Sequence, residues 1–246
     1  MLNSHSPVGK FLDLFHDWSL VILIVISILV FGIIYIFSRN SFCFNDLVES
    51  KSLELFWTIV PGLVLLLVIT PSLYGLYLLD IVSLVFPSSS VNVGARQWYW
   101  SYSYAPRSSA ENYGNLESRS VSYDSYMSGY SLGSIRSLDV DLPLVVVSKF
   151  VNRLLFSSND VIHCFALPQL GFKLDCVPGR LNQGYLFIRH VGKFFGQCSE
   201  ICGANHSFMP IGVECLSNDF DFVSANRLVS SSVSPPKSGW FGFWGG

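Results

Sequence analysis

Residues 18–38 of the chain read WSLVILIVISILVFGIIYIFS and contain no Asp, Glu, Lys, Arg or His. At about 1.5 Å per residue, a helix of this length crosses a hydrocarbon core of about 30 Å. A second uncharged run, LFWTIVPGLVLLLVITPSLYGLYLL, starts at residue 55, and its Pro61 and Pro71 are tolerated in helices within a membrane bundle. The sequence therefore predicts two transmembrane spans, at about residues 18–38 and 55–80.

The residues around the spans bear on targeting and orientation. Asp13, His16 and Asp17 precede a full-length apolar run, unlike the basic start of a cleavable secretory signal, and no Arg- and Ser-rich presequence is visible. This favours a protein made in the compartment where it works. Two spans put both termini on one side, and Arg39 and Lys51 give a slight preference for a connecting loop on the matrix or cytoplasmic side.

After Pro87 the pattern changes to short alternating segments such as VNVGARQWYWSYSY and GYLFIRHV, separated by Gly, Pro, Asn and Ser. Alternation with a period of two predicts the strands of a β-sandwich or barrel. The last residues are rich in Ser, Pro and Gly, which indicates a flexible tail. The predicted domains are residues 1–86 (head and two-helix hairpin), 87–217 (β-domain) and 218–246 (tail).

The formal net charge is −2 and no basic run occurs, which argues against nucleic acid as a partner. The six cysteines belong to a chain large enough to build its own core, so they do not indicate a disulfide framework. Two of them lie close together with a histidine just beyond. That pattern is typical of a metal site.

The candidate metal loop is GQCSEICGANHSFMP, residues 196–210. Its thiolates, Cys198 and Cys202, are four residues apart and can each bridge a pair of metals, with His206 and Met209 within reach of the same cluster. A further ligand must come from elsewhere. We expect His163, in the segment SSNDVIHCFALP, to enter the site from the end of a strand.

A structural zinc site is the alternative, because two thiolates and two imidazoles satisfy tetrahedral zinc. Met209 argues against it. Zinc has little use for a thioether, whereas thiolate, imidazole and a weak thioether select copper in electron-transfer sites. Ligand types thus favour copper but leave zinc open, and we expect apolar Phe208 and Ile201 to be buried around the metal.

Six segments, GQCSEICGANHSFMP, DVIH with LPQLGFKLDCVPGRLNQ behind it, RQWYWSYSY, YDSYM, FHDWSL and LELFWTIVP, resemble subunit II of cytochrome c oxidase. They occur in the same order as in that family, and the resemblance runs from about Phe15 to Cys215. It implies a cupredoxin-like Greek-key β-barrel on a membrane α-helical hairpin, carrying a dinuclear copper (CuA) centre. The implied ligands are the side chains of His163, Cys198, Cys202, His206 and Met209 and the backbone carbonyl of Glu200.

The resemblance also implies a function. Electrons arrive from cytochrome c and pass to haem in catalytic subunit I, where oxygen reduction is coupled to proton pumping; no oxygen chemistry occurs on this chain. The implied location is the mitochondrial inner membrane, with both termini and the CuA domain in the intermembrane space. Two alternative classes of protein make different predictions. A membrane-tethered copper chaperone should have one span and a thioredoxin-like domain, and a metal-free quinol-oxidase subunit should have lost the metal ligands.

Three further residues acquire expected roles from the resemblance. Glu200, otherwise a solvated turn residue, is expected to bind a Mg²⁺ shared with the catalytic subunit. Trp98 is expected to be the exposed indole that receives electrons, whereas Trp100 and Tyr102 keep the ordinary reading of core aromatics. Glu54 is expected at the mouth of a proton path, although a surface charge before a span is commoner.

The connection at residues 105–122 differs from the family, which has a shorter, more acidic segment there for docking cytochrome c. Docking must then rely on a local acidic patch, with Asp124, Asp139, Asp141 and Asp160 as candidates. The remaining cysteines are expected to be small buried or membrane-adjacent residues. They are Cys43, Cys164, Cys176 and Cys215.

Overall fold

The structure is a computed structural model that describes residues 3–41, 49–81, 86–104, 121–129 and 132–217. The proposed tail, Cys43 and most of the 105–122 connection lie outside these residues. The chain divides into two compact units. One comprises the helical region Lys10–Ile81, and the other combines the residues up to Gly9 with the part of the chain from Val82 onward.

The helical unit contains the two predicted spans, as helices α1 (Pro7–Arg39) and α2 (Lys51–Ile81). Both are long and apolar enough to cross a membrane, which confirms the hairpin. Helix α1 starts well before residue 18, because the Gly9 amide donates to Ser6 Oγ at 2.9 Å and a proline occupies the first helical position. Helix α2 continues through both of its prolines, as expected for a membrane helix.

The second unit is a β-sandwich of two five-stranded sheets in the described residues. One sheet has the order β3-β2-β1-β5-β8 and the other β4-β10-β9-β6-β7, and the strand pairs β1–β5 and β4–β10 are parallel. This arrangement confirms the predicted cupredoxin-like fold class. The strands are β1 (Ser89–Arg96), β2 (Tyr99–Tyr104), β3 (Val121–Ser125), β4 (Leu144–Val147), β5 (Val151–Ser158), β6 (His163–Leu167), β7 (Phe172–Cys176), β8 (Asn182–Phe187), β9 (Gly192–Cys198) and β10 (Pro210–Leu216).

Aromatic side chains fill the space between the sheets. Trp100 and Tyr102 alternate with half-buried residues along β2 and have no exposed surface, which confirms them as core residues. Trp100 packs edge-on against Phe165 of the opposite sheet, with ring centroids 5.1 Å apart. Trp98 lies outside this strand, since β1 ends at Arg96 and Trp98 is in the turn before β2.

The residues before α1 pack against the β-sandwich. The His5 amide donates to the Gln169 carbonyl and the Arg189 amide donates to the His5 carbonyl, both at 3.0 Å. Ser6 Oγ donates to the Leu170 carbonyl at 2.6 Å, and the Ser6 side chain is buried. Residues 5 and 6 therefore contribute backbone and side-chain bonds to the β-domain although they precede it by a whole helical hairpin.

Candidate metal centre

The predicted metal loop connects two paired strands at one end of the sandwich. β9 ends at Cys198 and β10 begins at Pro210, where the antiparallel register pairs Pro210 with Gln197. The Cys198 amide donates to the Met209 carbonyl at 3.4 Å, which closes the base of the loop. A short 3-10 turn over His206–Phe208 then directs the last part of the loop back toward β10.

The loop brings its donors around two free thiols. Cys198 Sγ and Cys202 Sγ lie 4.0 Å apart, too far for a disulfide of about 2.05 Å. Cys202 Sγ is 3.4 Å from His206 Nδ1 and 3.5 Å from Met209 Sδ. Cys198 Sγ is 3.3 Å from the Glu200 carbonyl oxygen. Metal–sulfur bonds of about 2.3 Å would let one ion contact both thiolates at this separation.

His163 joins the loop from β6. Its side chain is fully buried, and its Nδ1 lies 3.9 Å from Cys198 Sγ. Nε2 lies 2.8 Å from Asp160 Oδ1, so a proton on Nε2 is donated to the carboxylate and Nδ1 stays available as a ligand. The expectation that His163 ends a strand is wrong, because β6 begins at this residue.

The donors form two groups around the thiols. Within the described residues, the set whose ligand atoms all lie within 4.8 Å of one another contains His163, Cys198 and Cys202, and His206 is outside it. A single tetrahedral zinc with bonds of about 2.0–2.3 Å would need all four donors closer together than that. His163, Cys198 and Cys202 therefore form one compact donor group, and His206 lies beyond it, next to Cys202.

The electrostatics of the two thiols differ. Burial raises the pKa of Cys198, but the His163 imidazole and backbone amides outweigh burial and lower this pKa to about 7. Burial and the neighbouring Cys198 thiolate raise the pKa of Cys202 to about 12. The second thiol resists ionisation because it would place two negative charges side by side. A cation bound between the thiols would remove this resistance.

Asp160 lies beside the candidate metal centre and makes contacts that the sequence did not predict. It was predicted as a docking residue, yet its Oδ2 accepts from the Gln97 amide and its Oδ1 from the Val161 amide, both at 2.7 Å. Burial raises the pKa of Asp160, but the bonds from His163 and these amides outweigh it and lower the pKa. The D-x-x-H spacing of Asp160 and His163 was the available signal.

The apolar surroundings of the site are not the ones expected. Ile201 and Phe208 are 74% and 51% exposed, so the prediction that they are buried around the metal is wrong. Both project from the outer face of the loop. The buried wall is made instead by Trp100, whose ring lies 6.2 Å from that of His163, and by Met209, which is 1% exposed.

The other expected functional residues lie at different places. The Trp98 side chain is half-buried rather than fully exposed and packs against the β-domain core beside Gly203 of the metal loop. The Glu200 carboxylate is exposed on the same loop. Glu54 lies in the first turn of α2, where its side chain is exposed and its carbonyl accepts from Thr58 Oγ1 at 2.8 Å.

The remaining docking candidates differ in their contacts. Asp141 Oδ1 accepts from the Tyr126 and Leu142 amides at 2.8 and 2.7 Å. Asp139 Oδ2 accepts from the Ile135 amide. These carboxylates hold local turns, whereas the exposed Asp124 lies near Arg96, which partly offsets the rise in its pKa caused by burial.

Three cysteines outside the loop were expected to be buried, and the structure confirms this. Cys164, Cys176 and Cys215 are free thiols with almost no exposed surface. Burial raises the pKa of each of them to about 12. They are therefore protonated at neutral pH, in contrast to Cys198.

Fold and site together define a membrane-anchored β-sandwich protein that gathers sulfur and imidazole donors at one end of the sandwich. Residues 89–216 match the family model described as cytochrome c oxidase subunit II, periplasmic domain, and residues 1–74 match the corresponding transmembrane-domain model. The chain belongs to the cytochrome c oxidase subunit II family and is a membrane protein.

Individual relatives agree with this assignment. The cytochrome c oxidase subunit 2 of Aedes aegypti is 41% identical, over 89% of this chain and 91% of that protein. That of Drosophila ambigua is 42% identical, over 94% and 95%. The crystal structure of the periplasmic domain of subunit II of cytochrome oxidase from Bradyrhizobium japonicum is 34% identical, with a TM-score of 0.52, covering 61% of this chain and 99% of that one.

Proposed function

We propose that this chain is the electron-transfer subunit of a cytochrome c oxidase. It accepts electrons from cytochrome c at a dinuclear copper CuA centre and passes them to haem in catalytic subunit I. Oxygen reduction and the coupled proton pumping then occur in that subunit. The observation that carries the proposal is the pair of thiols 4.0 Å apart, each with its own imidazole donor.

The donor set fits two copper ions. Thiolate, imidazole and thioether are the ligands that copper takes in electron-transfer sites, and Met209 supplies the thioether. We propose His163, Cys198, Cys202, His206 and Met209 as side-chain ligands and the Glu200 carbonyl as the sixth donor. Bound copper would supply one-electron redox chemistry at these atoms.

The protein's own contribution is a fixed donor geometry. Cys198 is the last residue of β9, and Met209 directly precedes β10, with which β9 is paired. The Asp160 carboxylate holds the His163 ring. Donors that cannot move when the charge of the centre changes keep the reorganisation energy low, so electron transfer is fast. The buried Trp100 and Met209 side chains exclude water from one side of the site.

Three more roles belong to the proposal. Trp98 receives electrons, supported by its position beside Gly203 of the metal loop. The Glu200 carboxylate binds a Mg²⁺ shared with the catalytic subunit, which its exposure permits. Glu54, exposed in the first turn of α2, stands at the mouth of a proton path in the neighbouring subunit.

We place the chain in the mitochondrial inner membrane, with both termini and the β-domain in the intermembrane space. The orientation is supported by the bonds that His5 and Ser6 make to the β-domain, because residues before the first span and a domain after the second must then share one side. The similarity to insect relatives supports the organelle. We propose the domain boundaries 1–86, 87–217 and 218–246.

The test is metal analysis and electron-paramagnetic resonance of the purified oxidase. We expect two coppers on this chain and a spectrum in which one unpaired electron is shared by both. Cys198→Ser should abolish this signal, whereas Cys215→Ser, which changes a buried free thiol in β10, should retain it. One zinc and no copper signal in the wild-type chain would overturn the proposal.

A further inference from the structure

Gln97, in the turn between β1 and β2, is hydrogen-bonded both to the metal loop and to Asp160, the residue that holds His163. Gln97 Nε2 donates to the Cys202 carbonyl at 2.7 Å. The Gln97 amide donates to Asp160 Oδ2 at 2.7 Å, and the other oxygen of that carboxylate accepts from His163 Nε2 at 2.8 Å. One residue thereby connects the loop thiol Cys202 with the strand ligand His163, although the three segments are far apart in sequence.

The neighbouring Trp98 lies directly against the metal loop. Gly203, which follows Cys202, has φ of +122°, a conformation that favours glycine. A Cβ atom on Gly203 would lie 3.1 Å from Gln97 Nε2 and 3.2 Å from Trp98 Cζ2. The amide and the indole therefore both lie against the backbone immediately after a proposed copper ligand.

We propose that Gln97 is a positioning residue that couples the Trp98 indole to the metal loop. Its side-chain amide holds the backbone of Cys202 and its main-chain amide holds Asp160, so the turn carrying Trp98 follows the metal ligands. The coupling is reciprocal, since a turn that stabilises the loop is itself stabilised by the loop. The inference rests on the proposed function only in making Trp98 the residue that receives electrons.

The discriminating variant is Gln97→Glu in the full-length chain. Glutamate has nearly the same size, but its ionised carboxylate has no proton to donate to the Cys202 carbonyl. Gln97→Ala removes the side chain without adding a charge and serves as a second variant. Gln183→Glu is the matched control, because Gln183 is an exposed glutamine on β8 that bonds Tyr185 instead of the metal loop.

The first measurement is hydrogen–deuterium exchange of the copper-free full-length chain. In Gln97→Glu and Gln97→Ala we expect peptides covering residues 97–100 and 199–205 to exchange faster together, by about three- to tenfold, as the loss of one partly exposed hydrogen bond implies. Gln183→Glu should leave both peptides unchanged. Faster exchange of the first peptide alone, or of neither, would overturn the coupling.

The second measurement separates positioning from docking in the copper-loaded oxidase. If Gln97 positions Trp98, the limiting rate of electron transfer from saturating reduced cytochrome c falls severalfold in Gln97→Ala, which adds no charge at this exposed position, while the half-saturating concentration of cytochrome c stays the same. A changed half-saturation with an unchanged limiting rate would make Gln97 a docking residue and overturn the inference. The exchange experiment needs no metal, so it remains decisive even if the wild-type chain proves not to bind copper.

Discussion

The two thiols of the centre are assembled in different ways. Cys202 has its partners His206 and Met209 within the same loop, at 3.4 and 3.5 Å. Cys198 meets His163, which arrives from β6 and is held by Asp160. The Cys202 half is therefore built by local spacing, whereas the Cys198 half exists only after the strands of the sandwich have paired.

This difference extends to burial and charge. His163 is fully buried and His206 half-buried, and the pKa of Cys198 is lowered to about 7 while that of Cys202 is raised to about 12. The Cys198 half is thus the one whose thiol ionises first. A cation approaching the copper-free chain meets a thiolate at Cys198 and a protonated thiol at Cys202.

Replacing His163 and His206 by alanine should give the largest difference in stability between the two halves of the centre. His163→Ala leaves a cavity in the core and an Asp160 carboxylate without its partner, so we expect a loss of stability of about 2–4 kcal/mol. His206→Ala removes a half-buried side chain and should cost under about 1 kcal/mol. Thermal unfolding of the copper-free chain measures both. Equal destabilisation would show that the two halves are equally part of the fold.

Asp160→Asn tests the support behind the Cys198 half. The amide keeps a similar shape but loses the charge that holds the Nε2 proton of His163, so copper affinity should fall about 10- to 100-fold. Competition with a copper chelator measures the affinity. Asp124→Asn, on the exposed side of β3, is the control and should leave affinity unchanged. Unchanged copper affinity in Asp160→Asn would return Asp160 to the docking role expected from the sequence.

The local half of the site could be predicted from sequence better than the remote half. Cys198, Cys202, His206 and Met209 lie within twelve residues, so their spacing alone indicated a shared site. His163 was chosen as the histidine best placed to join them, but the Asp160 contact depends on how a turn folds back beside β6. The D-x-x-H spacing places the two residues close together in sequence, but it does not by itself fix this contact.

One expectation failed because it was based on the apolar composition of the loop and not on which side of the loop each residue lies. Ile201 and Phe208 were expected to be buried because they are apolar, yet a loop has an outer face and both lie on it. The predicted first span, at about residues 18–38, is not contradicted: it lies within α1, which also extends back to Pro7 because Ser6 caps it. Gln97 carried no signal at all, since its role comes from a contact with a backbone carbonyl far along the chain.

The ionisation of the thiols gives a pH-dependent test of the same asymmetry. In the copper-free chain, ultraviolet thiolate absorbance should rise with a midpoint near pH 7 for Cys198, while Cys202, with a pKa of about 12, stays protonated. Because the folded pKa of Cys198 lies below its ordinary value, its thiolate stabilises the fold fully only above the ordinary thiol pKa, and this contribution is lost as the pH falls through 7.

Two variants identify the thiol that titrates. Cys198→Ser should remove the transition near pH 7, and His163→Ala should move it upward, since the imidazole is the strongest of the groups that lower this pKa. Cys215→Ser should leave it in place, because burial keeps that thiol protonated. A transition that survives in Cys198→Ser would mean that the Cys198 half is not the one that ionises first.

The smallest effect is expected on the outer surface, where neither half of the centre is touched. Of the acidic candidates, Asp141 and Asp139 hold backbone amides, whereas the exposed Asp124 interacts with the Arg96 and Tyr126 side chains, so its charge can be changed without releasing a backbone amide. Asp124→Lys should slow association with cytochrome c about two- to threefold at low salt. The difference should vanish when added salt shortens the Debye length below about 8 Å. Asp13→Lys, in the helical unit, controls for net charge. If the salt dependence of cytochrome c oxidation is the same in both variants and in the wild type, this patch does not steer the donor, and the half-buried Trp98 turn must recognise it through contact surface instead.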